Sequence, residues 1–218
     1  MTRSIVVGLS VLVGGSALGQ SFNIDCGGTL GTPPSSSYGA GANQPGYWNQ
    51  TYDGNLYSLN GVPTSVHFGA DAGSAFHPIA GATGEDKLLM ETTFDVGSGH
   101  AVTILNLAVG QYDVYGYAFG GATTGPRTVG LSVWNGVNTV LGSVTCGTAW
   151  PGGQVEGETY AKMHVTVIPG QNFLAIYIGS QHDFDLLNGL QLVAVPVPGV
   201  SAVLLSAGVL AAGRRRRA

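Results

Sequence analysis

Charge is what this chain has least of. Only 9% of its 218 residues are Asp, Glu, Lys or Arg, and five of the eight basic ones (Arg3 and Arg214 to Arg217) sit at the two ends. Between the ends, Lys87, Arg127 and Lys162 face all twelve acids. So acidic a body has almost nothing with which to neutralise phosphates, which excludes nucleic acid as a partner. Catalytic signatures are missing as well. There is no Gly-x-Ser-x-Gly elbow, no His-Glu-x-x-His, no P-loop and no dinucleotide fingerprint, since Gly39-Ala40-Gly41 lacks a third glycine and a following helix. His67, His77, His100, His164 and His182 are scattered without metal-ligand spacing. No repeat period is visible, which excludes a propeller or solenoid. Cysteine is scarce too: Cys26 and Cys146 pair as one disulfide in an oxidising compartment, or else remain as two buried thiols.

What is present begins at the termini. Arg3, the apolar run Ile5 to Val13 and the small residues of Ala17-Leu18-Gly19 form the three regions of an export signal with cleavage near Gly19. At the other end, Val195-Pro196-Val197-Pro198-Gly199 interrupts regular structure, because each proline removes a backbone donor and fixes φ. An apolar run, Val200 to Gly213, and then Arg214, Arg215, Arg216 and Arg217 close the chain. Fourteen helical residues reach only about 21 Å, marginal for roughly 30 Å of hydrocarbon. The arginines would stay cytoplasmic and place the body outside. The expected division is 1–19 signal peptide, 20–194 folded domain and 195–218 sorting or anchor segment.

The tail resembles the PEP-CTERM sorting signal of Gram-negative bacteria, with Val197 standing where that signal usually has glutamate. The resemblance implies handling by the export machinery, a membrane stage through the C-terminal segment, and an exosortase-like transpeptidase as processing partner. It also implies residence at the cell envelope or in the extracellular matrix alongside exopolysaccharide. A plain C-terminal anchor, or a basic patch for acidic partners, is the alternative reading of the same residues.

The body alternates apolar and polar residues with period two between glycine-rich breaks. Strands are predicted at Phe22–Cys26, Thr64–Phe68, Lys87–Asp95, Ala101–Leu107, Gln111–Ala118, Thr128–Trp134, Val137–Thr145, Tyr160–Ile168, Phe173–Ile178 and Leu190–Val195. Asn135-Gly136 predicts a type I′ hairpin and Pro169-Gly170 a second tight turn. No amphipathic helix is predicted. About ten short strands in one domain imply an all-β fold, a two-sheet antiparallel β-sandwich of jelly-roll type. Phe22-Asn23-Ile24-Asp25-Cys26-Gly27-Gly28, Ala108 to Tyr115, and Leu187-Asn188-Gly189-Leu190-Gln191-Leu192 resemble segments of malectin-like and galactose-binding-type sandwiches.

Loop aromatics carry the ligand expectation. Tyr47, Trp48, Tyr52 and Tyr57 fall among Asn49, Gln50, Asp53 and Asn55, and Trp150 follows Cys146. Aromatic faces pack on sugar C–H faces while amides and carboxylates bond hydroxyls, so Tyr47, Trp48, Asn49, Tyr52, Asp53, Tyr57 and Trp150 are the carbohydrate-binding candidates. The alternative is that these rings plug one end of the core. Asp25, Asp183 and Asp185 would gather oxygen ligands for a structural calcium, or are three unrelated surface carboxylates. His182-Asp183-Phe184-Asp185 is explained more cheaply as a turn than as an acid–base pair. The expectation is an exported, non-catalytic sandwich that engages extracellular polysaccharide. A purely structural matrix protein is the alternative, and a carbohydrate-active hydrolase is a third reading.

Overall fold

The computed structural model describes residues 19–27, 30–71, 73–96, 101–120, 126–180 and 185–196. Its strands are β1 (Phe22–Asp25), β2 (Trp48–Gln50), β3 (Asp53–Tyr57), β4 (Pro63–Ala70), β5 (Gly73–Phe76), β6 (Thr92–Val96), β7 (Ala101–Leu105), β8 (Gly110–Tyr117), β9 (Arg127–Trp134), β10 (Thr139–Cys146), β11 (Tyr160–Val167), β12 (Phe173–Ser180), β13 (Asp185–Leu187) and β14 (Gly189–Val195). A short helix, α1 (Gly84–Met90), precedes β6. The five-stranded sheet runs β11-β8-β14-β1-β2, the six-stranded sheet β10-β9-β12-β7-β4-β3, and a small third sheet β13-β6-β5. Pairing is antiparallel throughout except between β1 and β2. The chain is thus the expected two-sheet β-sandwich, and Leu18–Val197 forms one compact unit.

Alternation builds the core. On β7, Val102 and Ile104 are buried while Ala101, Thr103 and Leu105 are not; on β11, Ala161, Met163, Val165 and Val167 are buried between exposed neighbours. The inward sets of both sheets meet in one hydrophobic cluster that includes Phe22, Ile24, Phe68, Ile104, Val114, Leu131, Leu174 and Leu192. Each such side chain, removed from water, contributes about 1.5–3 kcal/mol before entropy.

The outer faces of the two sheets differ. The segment Gly39 to Gln44 lies over the five-stranded sheet, held by a buried polar set. Gln44 donates through Nε2 to Asn23 Oδ1 (2.9 Å), Gln191 donates to the same oxygen (2.8 Å), and the Tyr117 hydroxyl accepts from Gly41 N (2.8 Å) while bonding Gln191 Oε1. That strap is why Tyr117 is buried although its strand phase points it outward. Helix α1 covers the same sheet near Gly189, where a Cβ would stand only 2.7 Å from Leu89 Cδ1 and 2.9 Å from the Ile24 carbonyl oxygen. Much of the outward side of the six-stranded sheet is accessible, with Leu141 77% exposed and Tyr177 39%, although outward Ala175 is only 4% exposed.

Several expectations need correction. Lys87–Asp95 is not one strand: Gly84–Met90 is helical and only Thr92 onward is extended. Glu85 and Asp86 in the first turn favour the helix N-terminus. Lys87 reaches Glu91 one turn on (3.4 Å), and Leu89 and Met90 supply the buried side. The Asn135-Gly136 hairpin exists, but with Trp134 paired to Thr139 its loop is four residues. The Asn135 side chain sets that length, its Oδ1 accepting the Val137 and Asn138 amides at 3.0 and 2.7 Å. Pro169-Gly170 does turn tightly, with Gly170 at φ +81°. The Cys26–Cys146 disulfide is not formed. Both thiols are free and buried, Cys26 following β1 in one sheet and Cys146 ending β10 in the other. The Cys146 thiol donates instead to the Ala118 carbonyl (3.0 Å). Among the described residues no helix is long and apolar enough to cross a membrane. The export signal up to Leu18 and Val197, Pro198, Gly199 and Arg214 to Arg217 of the tail lie outside the described residues.

Candidate functional site

The bare outer face of the six-stranded sheet brings chemistry together by register alone. Trp134 on β9 pairs with Ala175 on β12, Ala175 with Thr103 on β7, Thr103 with Gly69 on β4, and Gly69 with Asp53 on β3. These five residues form one row across the sheet, roughly 19 Å wide at the usual strand spacing. The aromatic end is reinforced by Phe173, whose ring meets Trp134 edge-on at 5.4 Å. Tyr177 and Leu105 stand on the same face, two positions along from Ala175 and Thr103, 39% and 40% exposed. The middle of the row carries small side chains or none, and Ala175, beside Trp134, is itself buried. At the far end lies an open concavity of about 510 Å³ lined by Asp53, Gly69, Ala70, Asp71, Ala101 and Thr103.

Asp53 is exposed and meets His67 Nε2 at 3.2 Å through Oδ1. Its strand carries two of the candidates: Asp53 and Tyr57 are exposed, as is Asn55 between them, with buried Leu56 before Tyr57. Tyr57 sits beside Tyr47, ring centroids 5.4 Å apart and tilted by 45°, both about two-fifths exposed. Asn49 fixes that pair, accepting the Tyr57 amide on Oδ1 (2.7 Å) and donating through Nδ2 to the Tyr57 carbonyl (2.9 Å). Asn49 itself is buried, so it positions an aromatic and has no surface to offer a ligand.

The other candidates are placed elsewhere. Trp48 is 3% exposed, stacked on Tyr38 at 5.9 Å with its indole N–H on the Tyr38 carbonyl. Tyr52 is half-buried against Phe94, and Trp150 lies edge-on to Phe119 at 5.3 Å. These three rings close the sandwich. Asp25 is fully buried, with Oδ1 accepting from Gly27 N and Thr92 Oγ1. Its calcium partners cannot be joined to it: Asp183 lies outside the described residues, and only the backbone of Asp185 is described. Among the described residues no group of three or more His, Cys, Asp or Glu could hold a metal.

Phe173, Tyr177 and Thr103 escaped the sequence reading, in which Trp134, alternating with Leu131 and Val133, gave no clear face. The signal was their strand phase: each alternates with buried residues such as Val133, Leu174, Ile176 and Val102, which marks it as facing outward. What periodicity alone omits is which outward faces remain uncovered. A second polar cluster, on β8 and β11, is a surface ion-pair set. Partial burial works to raise the Asp113 carboxyl, but hydrogen bonds from Lys162 (2.8 Å) and His164 (2.8 Å) outweigh it and hold it below its ordinary range.

No family model matches the chain, and no curated protein matches it. Among solved structures it is similar to Bacteroides uniformis beta-glucuronidase 2 covalently bound to cyclophellitol-6-carboxylate aziridine. That match has a TM-score of 0.48 at 15% identity and covers 81% of this chain. The chain spans only 18% of the length of that glucuronidase. It is also similar to TmCBM61 in complex with beta-1,4-galactotriose (TM-score 0.31, 13% identity, 61% of this chain and 90% of that one). The CBM35 from Cellvibrio japonicus Abf62 is a third (TM-score 0.34, 16% identity, 61% and 95%).

Proposed function

We propose that this chain is an exported, non-catalytic β-sandwich protein that binds extracellular polysaccharide on the outer face of its six-stranded sheet. One observation carries the reading: a single register row links an aromatic wall at Trp134 to a carboxylate at Asp53 across a floor of small residues. Rings offer faces for sugar C–H surfaces, and Thr103, Asp53 and Asn55 offer hydroxyl partners. The patterned ends of the sequence support export and envelope or matrix residence.

The test is affinity electrophoresis of the full chain in a panel of polysaccharides, with Trp134→Ala and Tyr177→Ala alongside. Tyr177→Ala is expected to weaken retardation by about tenfold, the value of one aromatic contact of about 1.5 kcal/mol. Trp134→Ala is expected to match or exceed that. Wild-type retardation that neither variant changes would place any binding elsewhere and sink the reading. Asp53 and Asp71 both line one concavity, and a hydrolase would need two carboxylates about 5–10 Å apart across a groove. Release of reducing ends, abolished by Asp53→Asn, would therefore replace binding with hydrolysis.

A further inference from the structure

We infer that the β10 edge of the six-stranded sheet pairs with the same edge of a second copy of this chain, about a two-fold axis at Leu141. The two six-stranded sheets then run on as one. The inference does not depend on the polysaccharide reading.

An edge strand presents unpaired N–H and C=O groups, a template for another chain unless something guards it. The two main sheets end on β11 and β2, and on β10 and β3. Strand β2 is three residues long, and β3 carries Asp53 and a register shift between Asn55 and Tyr57. Strand β11 carries Lys162 and His164, both bonded to Asp113. Strand β10 has none of these devices. Thr139–Cys146 is eight residues without charge or proline, in unbroken register with β9. Its side of the sandwich is also free of acid. Three bases face twelve acids in the body, yet β9, β10, β11 and β12 hold no Asp or Glu and two of those bases, Arg127 and Lys162. A second copy of so acidic a body meets the least repulsion there.

The backbone sets the register. Asn135 N donates to Asn138 O (3.1 Å), so alternate pairs from there on are hydrogen-bonded, and Val140, Gly142 and Val144 use their groups on β9. Thr139, Leu141, Ser143 and Thr145 turn theirs away from the sheet. Thr145 shows that phase by donating to Gly157 O (2.8 Å), a contact that closes its end of the edge beside Glu156 and Glu158. Among the described residues Thr139, Leu141 and Ser143 have no such backbone partner, and all three are exposed. Antiparallel pairing centred on Leu141 sets Leu141 against Leu141 and Thr139 against Ser143. Each pair exchanges two backbone bonds, about six in all. Side chains then meet their own kind. Hydroxyl faces hydroxyl on either side of the axis, and Leu141, the most exposed large hydrophobic side chain described, is covered by its counterpart. A foreign strand would serve the backbone alone; a copy of β10 also matches the side chains.

The experiment is sedimentation of the full chain in a mild detergent that keeps its apolar ends apart, between about 1 and 500 μM, with Leu141→Lys and Ser143→Pro alongside. The wild type is expected to pass from monomer to dimer in that range and to go no further, because a two-fold contact closes on itself. Leu141→Lys sets two ammonium groups across the axis and should raise the dissociation constant about tenfold or more. Ser143→Pro removes an outward donor that β9 does not use, so the circular dichroism should hold while the dimer weakens as much. Leu141→Cys reads the axis itself. Under mild oxidation it should cross-link to its counterpart, whereas Val109→Cys, at a 44% exposed position just before β8, should not. A chain that stays monomeric or assembles beyond a dimer would overturn the pairing. So would a dimer that both variants leave unchanged, or one in which Leu141→Cys does not cross-link.

Discussion

Asn188→Ala is expected to cost about 4 kcal/mol of folding stability, a drop of about 10 °C in melting temperature. The residue joins β13 to β14 and is fully buried. Its Oδ1 accepts the Phe119 amide (2.6 Å), and its Nδ2 donates to the carbonyls of Met90 (2.6 Å) and Thr92 (3.3 Å). Its own backbone donates to Tyr117 (2.8 Å) and accepts from Cys26 (3.0 Å). One side chain therefore ties the end of β8 to the end of α1 at the start of the last long strand. Removing it strands the Phe119 N–H and takes a donor from the carbonyls of Met90 and Thr92. Asn188→Asp makes the sharper control. It keeps the bond to Phe119 but turns an acceptor toward two carbonyls, so it should be at least as damaging as alanine. Urea unfolding of the three proteins reads this directly, and a loss below about 1 kcal/mol for both variants would show that the corner relaxes around the gap.

The same residue shows what was legible in the sequence. Leu187-Asn188-Gly189 stood out as a motif, and the strand it opens was placed correctly, because Leu190, Leu192 and Val193 form an apolar run around Gln191. That Asn188 is a knot was not legible, since its partners lie some seventy and a hundred residues away and become neighbours only when the sheets assemble. The eight-residue strands β8 to β12 were readable for the reason that makes them stable: one face meets the core, so period two is enforced. The short β2, β3, β5 and β13 were not, because they run for only three to five residues and their outward positions are as informative as their inward ones. Lys87-Leu88-Leu89-Met90 passed as strand because a seven-residue helix has too few turns to reveal its period.

The candidate site divides along the same line. Tyr47 and Tyr57 lie at a surface, as a Gly- and Asn-rich segment suggests, and Asp53 lies at the edge of the outer-face row. Trp48 became a plug because β2 pairs beside β1 beneath the strap, a parallel contact that no local pattern announces. Trp134 was visible as a residue but had no face until β12 and β10 were known to flank its strand. A candidate surface made from five strands is a property of register, and register between distant strands is the information a single sequence carries least.

Register also explains the second large effect, at Asp25. Strand β1 alternates Phe22 and Ile24 toward the core with Asn23 and Asp25 toward the covered outer side, so the carboxyl is sealed under the β6 segment. Burial pushes its pKa up to about 7, against the opposing pull of hydrogen bonds from Thr92 and the Gly27 amide. Its Oδ2 has no hydrogen-bond partner, so the charged form gains nothing there to offset the lost water. The sign follows from linkage. The folded state holds the proton more tightly than the unfolded chain, where the carboxyl titrates near 3.8. The contribution from this site is therefore complete below about pH 4 and falls away as pH rises through about 7, a difference on the order of 4 kcal/mol by pH 8. Asp25→Asn keeps the acceptor facing Thr92 and Gly27 and puts a neutral NH₂ where Oδ2 stood. The variant should melt close to the wild type at pH 4 and clearly above it at pH 8, the gap opening between about pH 4 and 7. Asp113 gives the opposite slope, contributing above its lowered pKa and losing that on acidification, but it is shared by both proteins and cancels in the comparison. Parallel melting curves from pH 4 to 8 would mean that Asp25 is already ionised in the fold and finds a counter-charge. A gap that widens with pH would make this buried acid the reason why a sandwich with an acidic body is most stable on the acidic side of neutrality.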